Sequence, residues 1–225
     1  MRKRLRAIFE KLLFAFGQRH WWPGDSPLEI MVGAVLTQNT SWRNVEKAID
    51  TMKGKGLLEI DALHLIEEDR LADVIRPAGF YRVKSKRLKA LITDVHDRYG
   101  SSIEHMQQAP TRQLRDQLLS VKGVGPETAD SILLYALNRP VFVVDAYTKR
   151  FLKNHGLYDG DGDYHDVQKF FMDNLPQDTC IFNEFHALLV CLCQRYCKKR
   201  PDCPACPLMD ERGAANGDGP SVREG

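Results

Sequence analysis

Leu118, Leu119 and Val121 close one apolar helical stretch, Gly123-Val124-Gly125 turns the chain, and Pro126 opens the next. Few conformations accommodate that order. Glycine takes up backbone angles that other residues resist, and proline at a first helical position lacks only an N–H that would have gone unbonded there. The spacing predicts helices over 111–120 and 126–137 joined by a tight turn. Such a turn aims free backbone N–H groups and a helix N-terminus at one spot, which suits a phosphate oxygen and ignores base sequence. An ordinary helix–helix turn carries the same pattern, so both readings stay open.

The rest of the chain also reads as helical. Ser26-Pro27-Leu28-Glu29 has the form of a capping box with proline at the first helical position, opening a helix through IMVGAVL. After Ser41, the residues Trp42, Val45, Ile49 and Met52 fall on one helical stripe. Further helices are expected at 58–66, 69–75, 82–98, 145–154, 164–174 and 180–196, with no strand alternation and no repeat. DGDGDYHD at 159–166 imitates a calcium loop, but Tyr164 and Phe170 stand where such a loop needs glycine and glutamate. It is expected to be an acidic connection between helices. The chain after Pro207 is expected to be disordered.

Composition sets the class. The chain has 225 residues, 43% hydrophobic and 28% charged, and lacks an apolar run long enough to span a bilayer. The basic N-terminus resembles a signal peptide at first, but Glu10 and Lys11 interrupt it. Ile8, Leu12, Phe14 and Phe16 among charges fit an amphipathic helix better. A cytoplasmic enzyme is the expectation. A net charge of +2 does not announce nucleic acid, and RKRLR at 2–6, KSKRLK at 84–89 and KKR at 198–200 read first as solvated faces. All six cysteines lie between 180 and 206, which in a reducing compartment favours a metal site over disulfides.

LLSVKGVGPETADSILLYA followed by VFVVD resembles the helix-hairpin-helix, Gly/Pro-loop and aspartate signature of the endonuclease III superfamily of DNA glycosylases. LTQNT upstream and the cysteines downstream occur in the family's order, so the resemblance spans residues 20 to 206. It implies an all-α fold of two helical domains with a DNA-binding cleft between them. One is a helical barrel over 28–135; the other joins 1–27 to 136–209, with 210–225 a disordered tail. It further implies a monomer that acts on damaged double-stranded DNA. Lys122, Gly123, Val124 and Gly125 would anchor the phosphate backbone. Asp145 matches the catalytic aspartate, and also suits the N-cap of the helix that follows. Bifunctional members carry a Schiff-base lysine two residues after the second hairpin glycine. Here that residue is Glu127, which cannot form the imine, so water is the expected nucleophile and an abasic site the product. An endonuclease III-like lyase for oxidised pyrimidines is the rival enzyme, and a non-catalytic hairpin module the rival of another class.

The resemblance also assigns the base-reading residues. Gln38 matches the glutamine that fills the gap left by a flipped nucleotide, and Phe80 the apolar wedge; a polar helix end and a core aromatic are the plainer readings. WWP, PAGFY and VVDAY look like the 3-methyladenine DNA glycosylase III type, where aromatics at the positions of Trp21, Trp22 and Trp42 stack on the flipped base. A cationic alkylpurine would favour such π-faces, although Trp42 on its apolar stripe also fits a core. Cys197, Cys203 and Cys206 resemble the start of the superfamily's iron–sulfur loop. The first interval is one residue short, and the last ligand's position falls near Arg212. Cys193, one helical turn before Cys197, would then supply the fourth thiolate. A [4Fe–4S] cluster is the expected cofactor, with zinc or no metal as alternatives.

Overall fold

The computed structural model describes residues 1–158 and 162–211, whose regular elements are all helices, with no strand among them. The helices are α1 (Arg2–Phe16), α2 (Pro27–Leu36), α3 (Trp42–Gly54), α4 (Ile60–Leu65), α5 (Glu68–Val74), α6 (Tyr81–Tyr99), α7 (Ile103–Gln108), α8 (Thr111–Ser120), α9 (Pro126–Ser131), α10 (Ala146–Asn154), α11 (Tyr164–Asn174) and α12 (Thr179–Arg195). The chain divides into two compact units. Trp22–Val141 form one, and Met1–Trp21 together with the chain from Phe142 onward form the other. None of the described helices is long and apolar enough to cross a membrane.

In the continuous unit, α6 is the axis. It buries Leu88, Leu91, Ile92 and Val95 against α4 and α5 and extends the core toward α2. Each such fully buried aliphatic side chain contributes about 1.5–3 kcal/mol. The basic stretch at 84–89 is not a solvated face. Lys84 is 1% exposed and its Nζ donates to Leu36 O at 2.7 Å and Ala78 O at 2.8 Å. Lys89 donates to the carbonyls of Leu63 and Ile66 at the end of α4. These ammonium groups satisfy carbonyls that the ends of short helices leave orphaned.

The capping box at 26–29 forms with one change. Ser26 Oγ accepts from Glu29 N at 3.2 Å, but the glutamate returns to Asp25 N, at 3.0 Å, instead of Ser26 N. α9 stops at Ser131, short of the expected 137, because the next turn widens to a π-helix over Ile132–Ala136. α7 was not expected; at six residues it is too short to show a period.

The discontinuous unit packs α12 against α1 and α10. Leu5, Ile8 and Leu12 form the buried stripe of α1, as an amphipathic helix requires. The run Phe142 to Val144 is buried, and Phe142 stacks on Phe171 with ring centroids 4.1 Å apart. Contrary to the expectation of disorder after Pro207, Leu208 is fully buried and Met209–Glu211 form a 3-10 turn. Lys11 Nζ holds that turn through Asp210 and Glu211, each at 2.7 Å. Most of the expected disordered tail, 212–225, and part of the calcium-like loop, 159–161, lie outside the described residues.

One buried ion pair joins α8 to α9. Arg115 Nε and Nη2 donate to the two carboxylate oxygens of the fully buried Asp130 at 2.7 and 3.1 Å. Removing one partner of a buried pair leaves the other charge undercompensated. Arg115→Met should therefore lower unfolding stability by about 3–5 kcal/mol, and Arg115→Met with Asp130→Leu by much less. Urea denaturation of both variants checks this.

Candidate active site

The turn between α8 and α9 has the expected form. Gly123 sits at φ +92°, and a Cβ there would run into the Arg87 side chain on α6. Only glycine meets both demands. Gly125 meets neither, since its φ is −94° and nothing lies within 4 Å of an added Cβ. Lys122, Gly123 and Gly125 are exposed, while Val124 is buried and anchors the turn in the core. Glu127 is exposed in the first turn of α9, where its charge suits the helix dipole. Gly123→Ala should cost stability by about 1–3 kcal/mol through backbone strain, whereas Gly125→Ala should cost little; thermal melts of the pair test the contrast.

Gln38 belongs to this turn more than to the surface. Its Nε2 donates to Gly123 O at 3.2 Å and to Thr128 Oγ1 at 2.9 Å, and its Oε1 accepts from Arg87 Nη1. Phe80 is 70% exposed and N-caps α6 from the left-handed region, at φ +47°. It is no core aromatic.

Two of the three tryptophans come together. Trp22 meets Trp42 edge-on, with centroids 5.3 Å apart, and Tyr135 at 5.4 Å. Gly33 makes room for it: a Cβ there would lie 3.0 Å from Trp22 Nε1. Tyr135 reaches Trp22 from the π-turn after α9. Trp42 is only half-buried, and its Nε1 donates to Glu46 Oε1 at 2.7 Å. Trp21 is half-buried and falls in the other unit.

Asp145 ends the buried run and N-caps α10. Its Oδ1 accepts from Thr148 N at 2.7 Å and Thr148 Oγ1 at 2.9 Å, and its Oδ2 lies 3.6 Å from His186 Nε2 on α12. The two side chains are 13% and 8% exposed. Burial pushes the Asp145 carboxyl upward, but the His186 imidazole and the Thr148 donors outweigh it and leave the carboxyl below its ordinary 3.8. The site thus keeps an anion in a nearly dry place. Sequence reading found Asp145 and missed His186, which stands forty-one positions later without any motif around it.

The four candidate cysteine ligands share a region but not a cage. Cys193 donates to Tyr147 O at 3.4 Å and contacts Cys197, whose thiol that contact lowers to about 4. Asn154 Nδ2 adds a bond to Cys197 Sγ at 3.2 Å. Cys197, Cys203 and Cys206 line one small cavity with His155. Among the described residues no group of three or more His, Cys, Asp or Glu side chains is gathered to hold a metal ion. A [4Fe–4S] cluster or tetrahedral zinc needs four ligands closed around it. With Cys193 turned to a carbonyl, the set expected from the sequence is not assembled, and none of the chemistry below runs through a metal.

The carboxyl of Asp145 should be lower in the folded than in the unfolded chain, so it stabilises the fold at neutral pH and loses that contribution as pH falls through the folded value. His186→Phe removes the imidazole while keeping an aromatic beside Phe142, and should move this acid limb to higher pH. Urea midpoints of wild type and variant over the acid range check the sign.

Residues 32–177 match the HhH-GPD superfamily of base excision DNA repair proteins. A Methanocaldococcus jannaschii protein that carries the name of a DNA repair glycosylase is 46% identical over 204 residues, 90% of this chain and 93% of its own. The structure resembles that of the Helicobacter pylori 3-methyladenine DNA glycosylase bound to 1,N6-ethenoadenine, with a TM-score of 0.72 and 32% identity, over 84% of this chain and 94% of that one. It shares its fold with an endonuclease III trapped in a covalent complex with DNA, at a TM-score of 0.80 and 23% identity, over 93% and 94% of the two chains.

Proposed function

The chain belongs to the HhH-GPD superfamily of base excision DNA repair glycosylases, and we propose that it is a monofunctional N-glycosylase for alkylated purines, 3-methyladenine foremost, that leaves an abasic site. The observation that carries the reading is the ionised, hydrogen-bonded Asp145 in a chain with the hairpin of DNA-binding family members. As the base departs, the sugar acquires oxocarbenium character, and a carboxylate beside it stabilises that charge or takes a proton from attacking water. Thr148 and His186 fix the carboxylate, so little reorganisation is needed when charge develops.

The turn at 122–125 holds the duplex by its phosphates, with exposed N–H groups and Lys122. Phe80 is the wedge, and the turn at 37–40 supplies the group that fills the vacated space. Trp22, Trp42 and Tyr135 offer π-faces for a cationic purine, a better leaving group than a neutral base. Trp21 is a further candidate for stacking on the base, from the resemblance of WWP to the 3-methyladenine type. The likeness to the Helicobacter pylori enzyme favours the same substrate class. Glu127 in place of a lysine favours water as nucleophile. The visible absorption of anaerobically purified protein would reveal a resident cluster.

Base release from duplexes carrying 3-methyladenine, thymine glycol or uracil, with and without later alkali, is the test. Free 3-methyladenine with strand breaks only after alkali is expected, and Asp145→Asn should slow its release by about 100-fold or more. Thymine glycol release with breaks before alkali would overturn both the substrate and the monofunctional assignment.

A further inference from the structure

We propose that Lys84 is a positioning residue for base extrusion, holding the turn that carries Gln38 and the turn that carries Phe80 at a fixed separation. This role presupposes that the chain flips a base out of the duplex, as proposed for its glycosylase activity.

Lysine is almost never fully buried unless it is paired. Lys84 is 1% exposed, and no carboxylate pairs with it among the described residues. Burial, with the Arg87 guanidinium acting in the same direction, lowers its pKa to about 8, so its surroundings resist the charge it carries. A buried ammonium without a counter-ion gives up hydration that two neutral acceptors restore only in part. An apolar side chain of similar length would avoid that cost, so packing alone does not call for a lysine here.

The two acceptors explain the choice. Lys84 Nζ donates to Leu36 O at 2.7 Å and to Ala78 O at 2.8 Å. Leu36 is the last residue of α2, and Ala78 the last of the 3-10 turn Arg76–Ala78 that precedes α6. Each probing residue follows its tethered carbonyl by two positions, Gln38 after Leu36 and Phe80 after Ala78. Both turns then pass through the left-handed region, with Asn39 at φ +54°, Gly79 at φ +68° and Phe80 at φ +47°. For residues other than glycine such backbone persists where surrounding contacts fix it. The Lys84 backbone N–H also donates to Phe80 O at 3.0 Å, so one residue holds the wedge turn by main chain and side chain together.

Leu36 and Ala78 are themselves fully buried, so the tie runs through the core and not over the surface. Hydrogen bonds to an ammonium are shorter and stronger than neutral ones. One cation bonded to both carbonyls sets their spacing, and neither turn shifts without the other. Extrusion depends on that relation, because a filler on one strand and a wedge on the other must meet a single base pair. A misplacement of about 1 Å can cost about 100-fold in rate.

The test uses full-length Lys84→Met, which keeps the stem without a donor, and Lys84→Gln, which keeps a donor with shorter reach. Single-turnover base release at saturating enzyme is measured from two duplexes, with 3-methyladenine opposite thymine or opposite a tetrahydrofuran abasic analogue. 2-Aminopurine beside the lesion reports extrusion as a rise in fluorescence. The analogue leaves no opposite base to wedge and lowers the cost of extrusion. Opposite thymine, the variants should lose most of the rise and slow release by about tenfold or more; opposite the analogue, release should stay within about threefold of wild type. Loss of folding in both variants, or slowing by the same factor on both duplexes, would make Lys84 a structural residue and overturn the proposal. Wild-type rates on both duplexes would overturn it as well. A wild-type protein that neither gives a rise nor releases base would instead overturn the flipping reading, so the wild-type trace tells the two failures apart.

Discussion

The contact between Gly123 and Arg87 is the constraint on which the hairpin depends. The backbone at 123 is left-handed, and the Arg87 side chain fills the volume a Cβ would need. Arg87 comes from α6, which packs against α2, α4 and α5, and it also donates to Gln38. A surface turn is thereby fastened to the core and to the end of α2 through one guanidinium. An exposed turn keeps a single geometry only where such contacts hold it. The buried Arg115–Asp130 pair serves the same end from the other side, locking α8 to α9 behind the turn.

Asp145 shows how surroundings alter an ordinary helix cap. An aspartate N-cap is ordinary, and Thr148 accepts the role of first-turn partner. The surroundings change what it can do. Buried after an apolar run, the carboxylate would lose much of its hydration, and burial alone would drive it toward the neutral acid. His186 and Thr148 reverse that outcome. The same carboxylate is thus held ionised, oriented and largely shielded from water, which is the condition under which a fixed charge stabilises a developing cation best.

Much of this was legible in the sequence. The Gly-x-Gly-Pro turn, the Ser26 cap, the Asp145 cap and the stripe of α1 all follow from short-range rules, and the structure has each of them. Family membership was legible in the same residues, because their order is fixed by the turn and by the helix that follows it. The aromatic pair Trp22 and Trp42 was named, but its third member was not, since Tyr135 reaches it through a π-turn that no local pattern announces. The basic stretch at 84–89 was misjudged for a related reason: Lys84 and Lys89 carry charge, yet α6 turns them onto the carbonyl ends of other helices. The cysteine spacing suggests four ligands, whereas the Cys193 thiol donates to Tyr147 O, forty-six positions away.

The sequence by itself determined the helical class, the turn, the capping aspartate and the glutamate at position 127, because each depends on residue identity and on neighbours within about one helical turn. Only the tertiary structure decided that His186 faces Asp145, that Lys84 joins the turns before Asn39 and Phe80, and that Gln38 is held by the hairpin. These contacts link residues tens of positions apart, and helix packing, which sequence periodicity describes only as a buried face, chooses the partner across it.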